Sequence, residues 1–393
     1  MSWIIPENKL DEQQRDFIEN VDIKQKNVWI KGFPGSGKSV LLAHTIRKIK
    51  TSDKSASILV VVFTHSLIKM FEAAFKEMGY SIDVVTIYDF MKTGRTSRSY
   101  DYILSDEVQD LTPSVLNAMR SRAKHVVVAG DSNQSIYEMD PKFKEATVQP
   151  SQINALLSSR EFELGIIHRL SSSIIGVIQK FLPRMNIFTA KRDLSKQSTQ
   201  VRLCEAYSKE EEVQYILKDA KKAVNVGQTA AVLIPTQNSI ISFVQLVLKS
   251  EGKKEWNVVT NEWGKTDYNC LNRYLTSCNV PIQYVGNGYG QFSDNTNKIT
   301  LMTYHSAKGL DFDNVFLPFL NNSLFIVPNE TLSKTLFMVA MTRSRNNLYL
   351  TYSGYKHSYL DNFASDCNKI DVHDALNSQS QTYSGSNNVF AGF

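Results

Sequence analysis

The sequence contains little cysteine and no long apolar run, and each absence excludes a class of protein. The four cysteines, Cys204, Cys270, Cys278 and Cys367, have neither C-x-x-C spacing nor the Cys/His spacing of a metal site, so we expect reduced thiols. No apolar stretch approaches the length that spans a bilayer, and Met1–Pro6 does not resemble a signal peptide. These absences argue against secreted disulfide-rich and membrane-spanning proteins, and they favour a cytoplasmic one.

Positive charge is in only small excess. The 393 residues include 44 Lys and Arg against 39 Asp and Glu, which gives a net charge of +5. This mildly basic balance permits a polyanionic partner without requiring one. The length exceeds what one hydrophobic core usually supports, so we expect two domains.

A glycine-rich loop is the most informative pattern that is present. Gly32–Ser39 fits G-x-x-x-x-G-K-S and lies between an apolar run at 27–30 and a helical run at 40–44. In such a strand–loop–helix context, backbone N–H groups surround a phosphate and the helix dipole favours its charge. Lys38 would reach the terminal phosphates and Ser39 would bind Mg²⁺. We therefore predict a nucleoside triphosphate site formed by Gly35, Ser36, Gly37, Lys38 and Ser39.

Strand-like runs of β-branched residues alternate with amphipathic helical stretches. Continuous apolar runs of this kind predict parallel sheets covered by helices on both faces. Proline and polar residues interrupt the pattern between 141 and 160, so we predict one lobe over 1–150 and a second over 151–373, followed by a disordered tail over 374–393. The predicted strands are Val28–Ile30, Ile58–Phe63, Tyr102–Leu104, Val126–Ala129, Ala231–Ile234, Ile299–Tyr304, Val315–Leu317 and Leu348–Tyr352.

An acidic pair, Asp106 and Glu107, directly follows the third predicted strand. Nucleotide hydrolysis needs a second metal contact and a group that orients water. Asp106 would hold Mg²⁺ through water, and Glu107 would orient and deprotonate the attacking water. The alternative is a solvated loop, but an acidic pair in the same lobe as the glycine-rich loop favours hydrolysis.

An ordered series of segments resembles the Rep/UvrD-type helicases of superfamily 1. The series covers residues from about 10 to 353, and its segments at 130–137 and 303–312 are the most family-specific. The resemblance implies an α/β fold with two RecA-like lobes, each a mostly parallel sheet flanked by helices, and the ATP cleft between them. The segments are Leu10–Arg15 for the Q motif, Val62–His65 for motif Ia, Thr86–Phe90 for the motif after it, Gly130–Tyr137 for motif III, His168–Ser171 for motif IV, Thr303–Phe312 for motif V and Val339–Ser344 for motif VI.

The resemblance implies further contacts with the nucleotide. Gln14 would read the adenine edge and so favour ATP. His168 would stack on adenine, where the family commonly carries tyrosine. Asp311 would contact the ribose or the interface between lobes, at a position where the family more often carries glutamate. The cofactors implied are ATP and Mg²⁺.

The resemblance also implies three catalytic side chains besides Lys38 and Glu107. Gln134 would contact the γ-phosphate and couple it to the nucleic acid. Arg169 and Arg343 would act as arginine fingers, which are worth about 10³–10⁵ in rate. The alternative for either arginine is a surface ion pair of little consequence.

Single-stranded nucleic acid would lie across both lobes in a protein of this type. Aromatic platforms there stack bases with about 1–3 kcal/mol each and tolerate any base sequence. For Phe63, which ends an apolar strand, a place in the core is the alternative. The candidate contacts are Phe63, Thr64, His65, Tyr88, Met139 and His305.

The sequence departs from the family in three places. Few residues separate Phe90 from the strand at 101, and few separate 284–288 from the strand at 299, so both accessory subdomains of related helicases are missing. Met139 stands where the family has a stacking tryptophan, and Asp140 would repel phosphate. ATP hydrolysis remains expected, but these changes argue against efficient duplex unwinding.

The leading hypothesis is an ATP-dependent translocase or helicase on single-stranded nucleic acid, with DNA favoured over RNA and 3′ to 5′ polarity implied by the resemblance. It would act in DNA repair or antiphage defence. The second hypothesis is a nucleic-acid-gated ATPase that serves as a switch or sensor in a complex with a nuclease or another effector. A P-loop kinase fits the first loop but leaves motifs III to VI unexplained.

Overall fold

The computed structural model describes residues 4–92, 98–131, 139–140, 142–168, 170–183, 191–192, 200–290 and 297–378. The chain forms two compact units. The first unit comprises Met1–Leu170, Arg184–Gln197 and Asn329–Val339, and the second comprises Ser171–Pro183, Ser198–Pro328 and Ala340–Phe393.

The first unit contains a parallel six-stranded sheet in the order β3-β2-β4-β5-β1-β6 and a parallel pair, β7-β8. Its strands are β1 (Asn27–Gly32), β2 (Ile58–Val62), β3 (Asp83–Thr86), β4 (Tyr100–Ser105), β5 (Ala123–Gly130), β6 (Ser159–Leu164), β7 (Ile166–Ile167) and β8 (Lys191–Arg192). Its helices are α1 (Glu12–Asn20), α2 (Lys38–Ser52), α3 (His65–Glu77), α4 (Ile87–Phe90), α5 (Pro113–Arg122) and α6 (Pro150–Leu157).

Alternate side chains of the first sheet enter separate hydrophobic cores on its two faces. On β1, Val28 and Ile30 pack with residues of α1, α2 and α3, whereas Trp29 packs with residues of α5 and α6. The β-branched run of β2 divides in the same way between the two cores. Because both faces are covered, these strands need apolar residues at every position, and this explains why their sequences are continuous apolar runs.

The second unit contains a parallel seven-stranded sheet in the order β11-β12-β10-β13-β14-β9-β15. Its strands are β9 (Gln200–Ala206), β10 (Ala230–Ile234), β11 (Ile282–Tyr284), β12 (Ile299–Thr303), β13 (Phe312–Leu317), β14 (Ser344–Ser353) and β15 (Asn368–Asp371). The helices are α7 (Ser172–Phe181), α8 (Lys209–Asn225), α9 (Gln237–Ser250), α10 (Tyr268–Ser277), α12 (Val372–Asn377) and α11 (Glu330–Met341), whose residues before Ala340 belong to the first unit.

The predicted fold class, two mostly parallel sheets flanked by helices, is confirmed. Each of the eight predicted strands overlaps an observed one. The predicted boundary at residue 150 is wrong, because β6 pairs with β1 along its whole length and so extends the first unit to Leu170. At the other end, α12 continues to Asn377, past the predicted start of the tail at 374.

The connections that were predicted to lack inserted subdomains are short. Residues 91–99 join α4 to β4, and residues 285–298 join β11 to β12. In the part of the chain that the structure describes, no helix is both long enough and apolar enough to cross a membrane.

Candidate nucleotide and nucleic-acid site

The glycine-rich loop joins β1 to α2 in the first unit, as the strand–loop–helix context predicts. Gly35 and Gly37 have φ of 76° and 87°, in the left-handed region that favours glycine, and α2 begins directly afterwards at Lys38. The Lys38 ammonium group donates to the carbonyls of Gly32 at 2.8 Å and Phe33 at 2.9 Å. The lysine ammonium therefore lies against carbonyls of the loop whose N–H groups would surround a phosphate.

Ser39 and Asp106 meet at the carboxyl edge of the first sheet. The Ser39 hydroxyl donates to the Asp106 carboxylate, which follows β4 and is almost fully buried. Burial raises the pKa of Asp106 to about 6, and the nearby Glu107 carboxylate adds to the shift. A hydroxyl and a carboxylate side by side are oxygen ligands of the kind that Mg²⁺ prefers, so these residues fit the metal.

Glu107 has an unusual backbone conformation and a dedicated partner. Its φ is 54°, in the left-handed region, and its N–H donates to Asp106 Oδ1 at 2.9 Å. The Gln109 side-chain amide donates to Glu107 Oε2 at 2.5 Å, and Gln109 Oε1 accepts the Asp131 N–H at 3.0 Å. A Cβ on Gly130 would collide with Gln109 Oε1. Gln109 thus joins Glu107 to the end of β5.

Sequence reasoning did not single out Gln109. The available signal was its place two residues after Glu107, within the string D-E-V-Q-D at 106–110. Its near-complete burial and its contact with the end of β5 depend on the tertiary fold. These properties are not visible in the string itself.

The two candidates for contact with adenine, Gln14 and His168, lie between the start of α1 and the glycine-rich loop. Asp11 and Gln14 form a reciprocal capping box, in which each side chain accepts the other residue's N–H. The Gln14 amide also donates to the Ser36 carbonyl at 3.0 Å, and His168 Nε2 lies 2.5 Å from Asp11 Oδ2. The His168 N–H donates to the Gly35 carbonyl at 2.9 Å. The structure therefore brings Gln14 and His168 together at the loop.

The nucleic-acid candidates of the first unit cluster near the ends of β2 and β3. The ring centroids of Phe63 and Tyr88 lie 6.1 Å apart, and Lys142 lies 3.8 Å from the Tyr88 ring centroid. Thr64 caps α3 by accepting the Leu67 N–H at 3.3 Å, and His65 is exposed. Phe63 is half-buried, so its exposure does not choose between contact with nucleic acid and a place in the core.

Asp140, which was predicted to repel phosphate, lies in the interior of the first unit rather than at its surface. Asp140 is fully buried, and its carboxylate accepts the Tyr88 hydroxyl at 3.0 Å and the N–H groups of Lys142 and Phe143 at 2.8 and 2.7 Å. Its charge therefore orders a turn and fixes Tyr88. The preceding Met139 is 54% exposed and available for contact.

In the second unit, motif V begins where β12 ends. The Thr303 hydroxyl lies 3.0 Å from the Ser306 hydroxyl and accepts the Ser306 N–H at 3.2 Å. Burial lowers the pKa of the adjacent His305, and nearby Lys308 adds to the effect. A lowered pKa disfavours the charged imidazolium, so the half-buried His305 suits contact with a base better than ion pairing with a phosphate.

The remaining second-unit candidates, Arg343 and Asp311, each make a contact between the motif V segment and the region of motif VI. Arg343 is nearly fully buried and donates to the Leu310 carbonyl at 3.2 Å and the Thr342 hydroxyl at 2.8 Å. Asp311 pairs with Arg345 at 2.8 Å, a contact that sequence reasoning did not anticipate. Motifs V and VI therefore form one bonded group in this unit. The candidates Gln134 and Arg169 lie outside the described residues.

Comparisons with known proteins match both halves of the chain. A family model described as an AAA domain matches residues 14–140, and the UvrD-like helicase C-terminal domain matches 279–355. A search of curated proteins finds no significant match. Among solved structures, Pif1 helicase from Bacteroides, in complex with ADP-AlF3 and ssDNA, shares 13% identity over 96% of this chain and 98% of its own, with a TM-score of 0.44. That likeness is too distant to carry a functional argument.

The matched segments contain the phosphate loop, the acidic pair and motifs V and VI described above. The chain is therefore similar to the UvrD-like helicases of superfamily 1, a class of nucleic-acid-dependent enzymes that hydrolyse ATP.

Proposed function

We propose that this chain is a Mg²⁺-dependent, ATP-driven translocase that moves 3′ to 5′ along single-stranded DNA. The observation that carries the proposal is the convergence of Lys38, Ser39, Asp106 and Glu107 where β1 and β4 end. A phosphate-binding lysine, two metal-binding oxygens and a base are the groups that phosphoryl transfer to water requires. Lys38 and Ser39 come from the segment after β1, whereas Asp106 and Glu107 come from the segment after β4, so their assembly depends on the fold.

Each group has a distinct role in this proposal. Lys38 binds the β- and γ-phosphates, Ser39 and Asp106 hold Mg²⁺, and Glu107 orients and deprotonates the attacking water. Magnesium, when bound, neutralises developing charge on the phosphates. Gln14, His168 and Asp311 are assigned to the nucleoside, and Gln134, Arg169 and Arg343 to the γ-phosphate.

ATPase assays with and without oligo(dT) test the proposal. We expect single strands to stimulate hydrolysis in the parent chain, and Lys38→Ala to abolish nucleotide binding and turnover. Glu107→Gln should still bind ATP but lose hydrolysis by at least about 100-fold, because the amide cannot accept a proton. Hydrolysis that persists in Glu107→Gln would refute the assignment of the base, and turnover indifferent to single strands would refute the motor.

Polarity and strand type need separate assays. Streptavidin placed at either end of an oligonucleotide should be displaced only from the 5′ end by a 3′ to 5′ motor. Oligo(rU) in place of oligo(dT) tests DNA against RNA, since residues that contact a 2′-hydroxyl have no distinctive sequence signature. Displacement from the 3′ end would reverse the proposed polarity.

A second candidate function is a nucleic-acid-gated switch that acts with a nuclease or another effector. The short connections at 91–99 and 285–298, and Met139 at the stacking position, favour it. A tailed duplex that stays paired while ATP is hydrolysed would support the switch. Survival of a deletion strain after phage challenge or DNA damage, with Lys38→Ala as the inactive control, tests the proposed settings of defence and repair.

A further inference from the structure

The exposed large aromatic side chains of the described residues all belong to the second unit: Tyr207, Trp263, Phe325 and Tyr355. Tyr207 directly follows β9, Phe325 lies in the connection after β13, and Tyr355 follows β14. In a parallel sheet these positions share the carboxyl edge. Trp263, which is 76% exposed, lies between α9 and α10, in a turn that contacts the connection after β11 at the same edge.

Trp263 stands at the tip of a tight, internally bonded turn, residues 259–267. Thr260 and Thr266 pair across it, and Asp267 N–H donates to the Val259 carbonyl at 2.8 Å. Asn261 Oδ1 accepts the N–H groups of Trp263 and Lys265, both at 3.0 Å. The turn therefore presents the indole on a fixed backbone, which lowers the entropy lost when a ligand binds.

A chain of contacts joins this turn to motif V. The Asn261 side-chain amide donates to the Tyr289 hydroxyl at 3.3 Å, and Tyr289 and Gly286 exchange backbone hydrogen bonds at 2.8 and 3.0 Å. Gly286 has no room for a side chain, because a Cβ there would lie 2.8 Å from the Ser306 hydroxyl. The turn is thus packed, through the β11–β12 connection, against the residue that follows His305.

The chemistry of the turn suits single-stranded nucleic acid better than a folded partner. Trp263 offers a ring face to any base, and the exposed Lys265 lies in the same turn to meet a phosphate. Asn287 and Gly288, at φ of 51° and 84°, are exposed in the connection through which the turn contacts motif V. A strand that contacts His305 would pass this exposed part of the connection to reach the indole.

We propose that Trp263 is a base-stacking residue that extends the nucleic-acid path beyond motif V towards β11, the edge strand of the second sheet. This inference rests on the proposed function and adds to it a contact outside the family motifs. Only an oligonucleotide long enough to span both His305 and the turn engages Trp263.

Tryptophan fluorescence tests the proposal directly. Of the four tryptophans, Trp29 and Trp256 are buried, so in a Trp3→Phe background Trp263 supplies the exposed indole emission. Oligo(dT) should quench this emission, and Trp263→Phe should remove the quenching. Anisotropy should show that Trp263→Ala weakens binding of a long oligo(dT) about 5- to 150-fold, with Trp263→Phe in between, while a short oligo(dT) binds all three chains alike.

Val226→Ala is the matched control. Val226 is 74% exposed and precedes β10, at the opposite edge of the same sheet, so its loss should leave binding unchanged. Normal binding of the long oligo(dT) by Trp263→Ala, with no quenching of Trp263 emission in the Trp3→Phe parent, would overturn the inference while leaving the proposed function intact. Absence of oligonucleotide binding in every chain would overturn both. Normal binding by Trp263→Ala together with loss of self-association in sedimentation would assign the turn to a second copy and also overturn the inference.

Discussion

The buried Gln109 side chain orients the Glu107 carboxylate, which is the proposed base. It donates to Glu107 and accepts from the Asp131 N–H, so it fixes the direction in which the carboxylate points. Asp131 follows β5, at the start of the motif III segment. A shift of the motif III segment would therefore be transmitted to Glu107 through the Gln109 side chain.

Gln109→Ala should lower kcat for ATP hydrolysis about 10- to 100-fold, the equivalent of one hydrogen bond to a charged group. The dissociation constant for ATP should stay the same, because Lys38 and Ser39 are untouched. Stopped-flow nucleotide binding and steady-state turnover separate the two quantities. Gln152→Ala, at the exposed start of α6, is the control. An unchanged kcat would show that Glu107 needs no such support.

At the scale of elements, the buried Glu212 carboxylate of α8 accepts hydrogen bonds from strand β14 and from the residue after β13 and Pro318. Glu212 accepts the Phe319 N–H and the Thr351 hydroxyl, both at 2.6 Å, and the Ser353 hydroxyl at 3.1 Å. Phe319 has φ of 62°, a conformation that this hydrogen bond helps to hold. Burial raises the pKa of Glu212, although its three donors oppose the shift.

The raised pKa fixes the sign of a stability prediction. The folded state holds the Glu212 proton more tightly than the unfolded state does, so its stability falls as the pH rises through the raised pKa. Glu212→Gln cannot ionise, so its stability relative to the parent should increase as the pH rises above the ordinary pKa of glutamate. Melting temperatures across a pH series test this expectation, with the exposed Glu255→Gln as control. A difference that does not grow with pH would contradict it.

The strands that sequence patterns missed are mostly those at the sheet edges. β15 reads N-K-I-D and β6 reads S-R-E-F-E-L, and both expose many of their side chains. Only strands covered on both faces need continuous apolar runs, so pattern reasoning found the central strands and missed these. For the site, local motifs located Lys38 and Glu107. The roles of Gln109, Asp140 and Arg345 depend on partners from other motifs or elements, which no local pattern encodes.

For the chain as a whole, the proposed ATP cleft can be tested through the stability of each unit. We expect the two units to give two calorimetric transitions, and Mg²⁺–ATPγS at 100 times its dissociation constant stabilises whatever it contacts by about 2.7 kcal/mol. If Arg343 of the second unit contacts the nucleotide, both transitions should shift. Arg343→Ala should then keep the first shift and lose the second, while substitution of an exposed α10 residue, Arg273→Ala, keeps both. Two retained shifts in Arg343→Ala would argue against an arginine finger.

At Glu107, selection for stability opposes selection for ATP hydrolysis, because the backbone there is left-handed. A side chain in that conformation costs about 1 kcal/mol, which glycine would recover. Glycine would also remove the proposed base, so heat-resistance screens of random variants should enrich stable chains that no longer hydrolyse ATP. A lineage that needed only the folded scaffold would be under steady pressure to discard this glutamate. Its persistence in related genes would therefore record continued use of the chemical step.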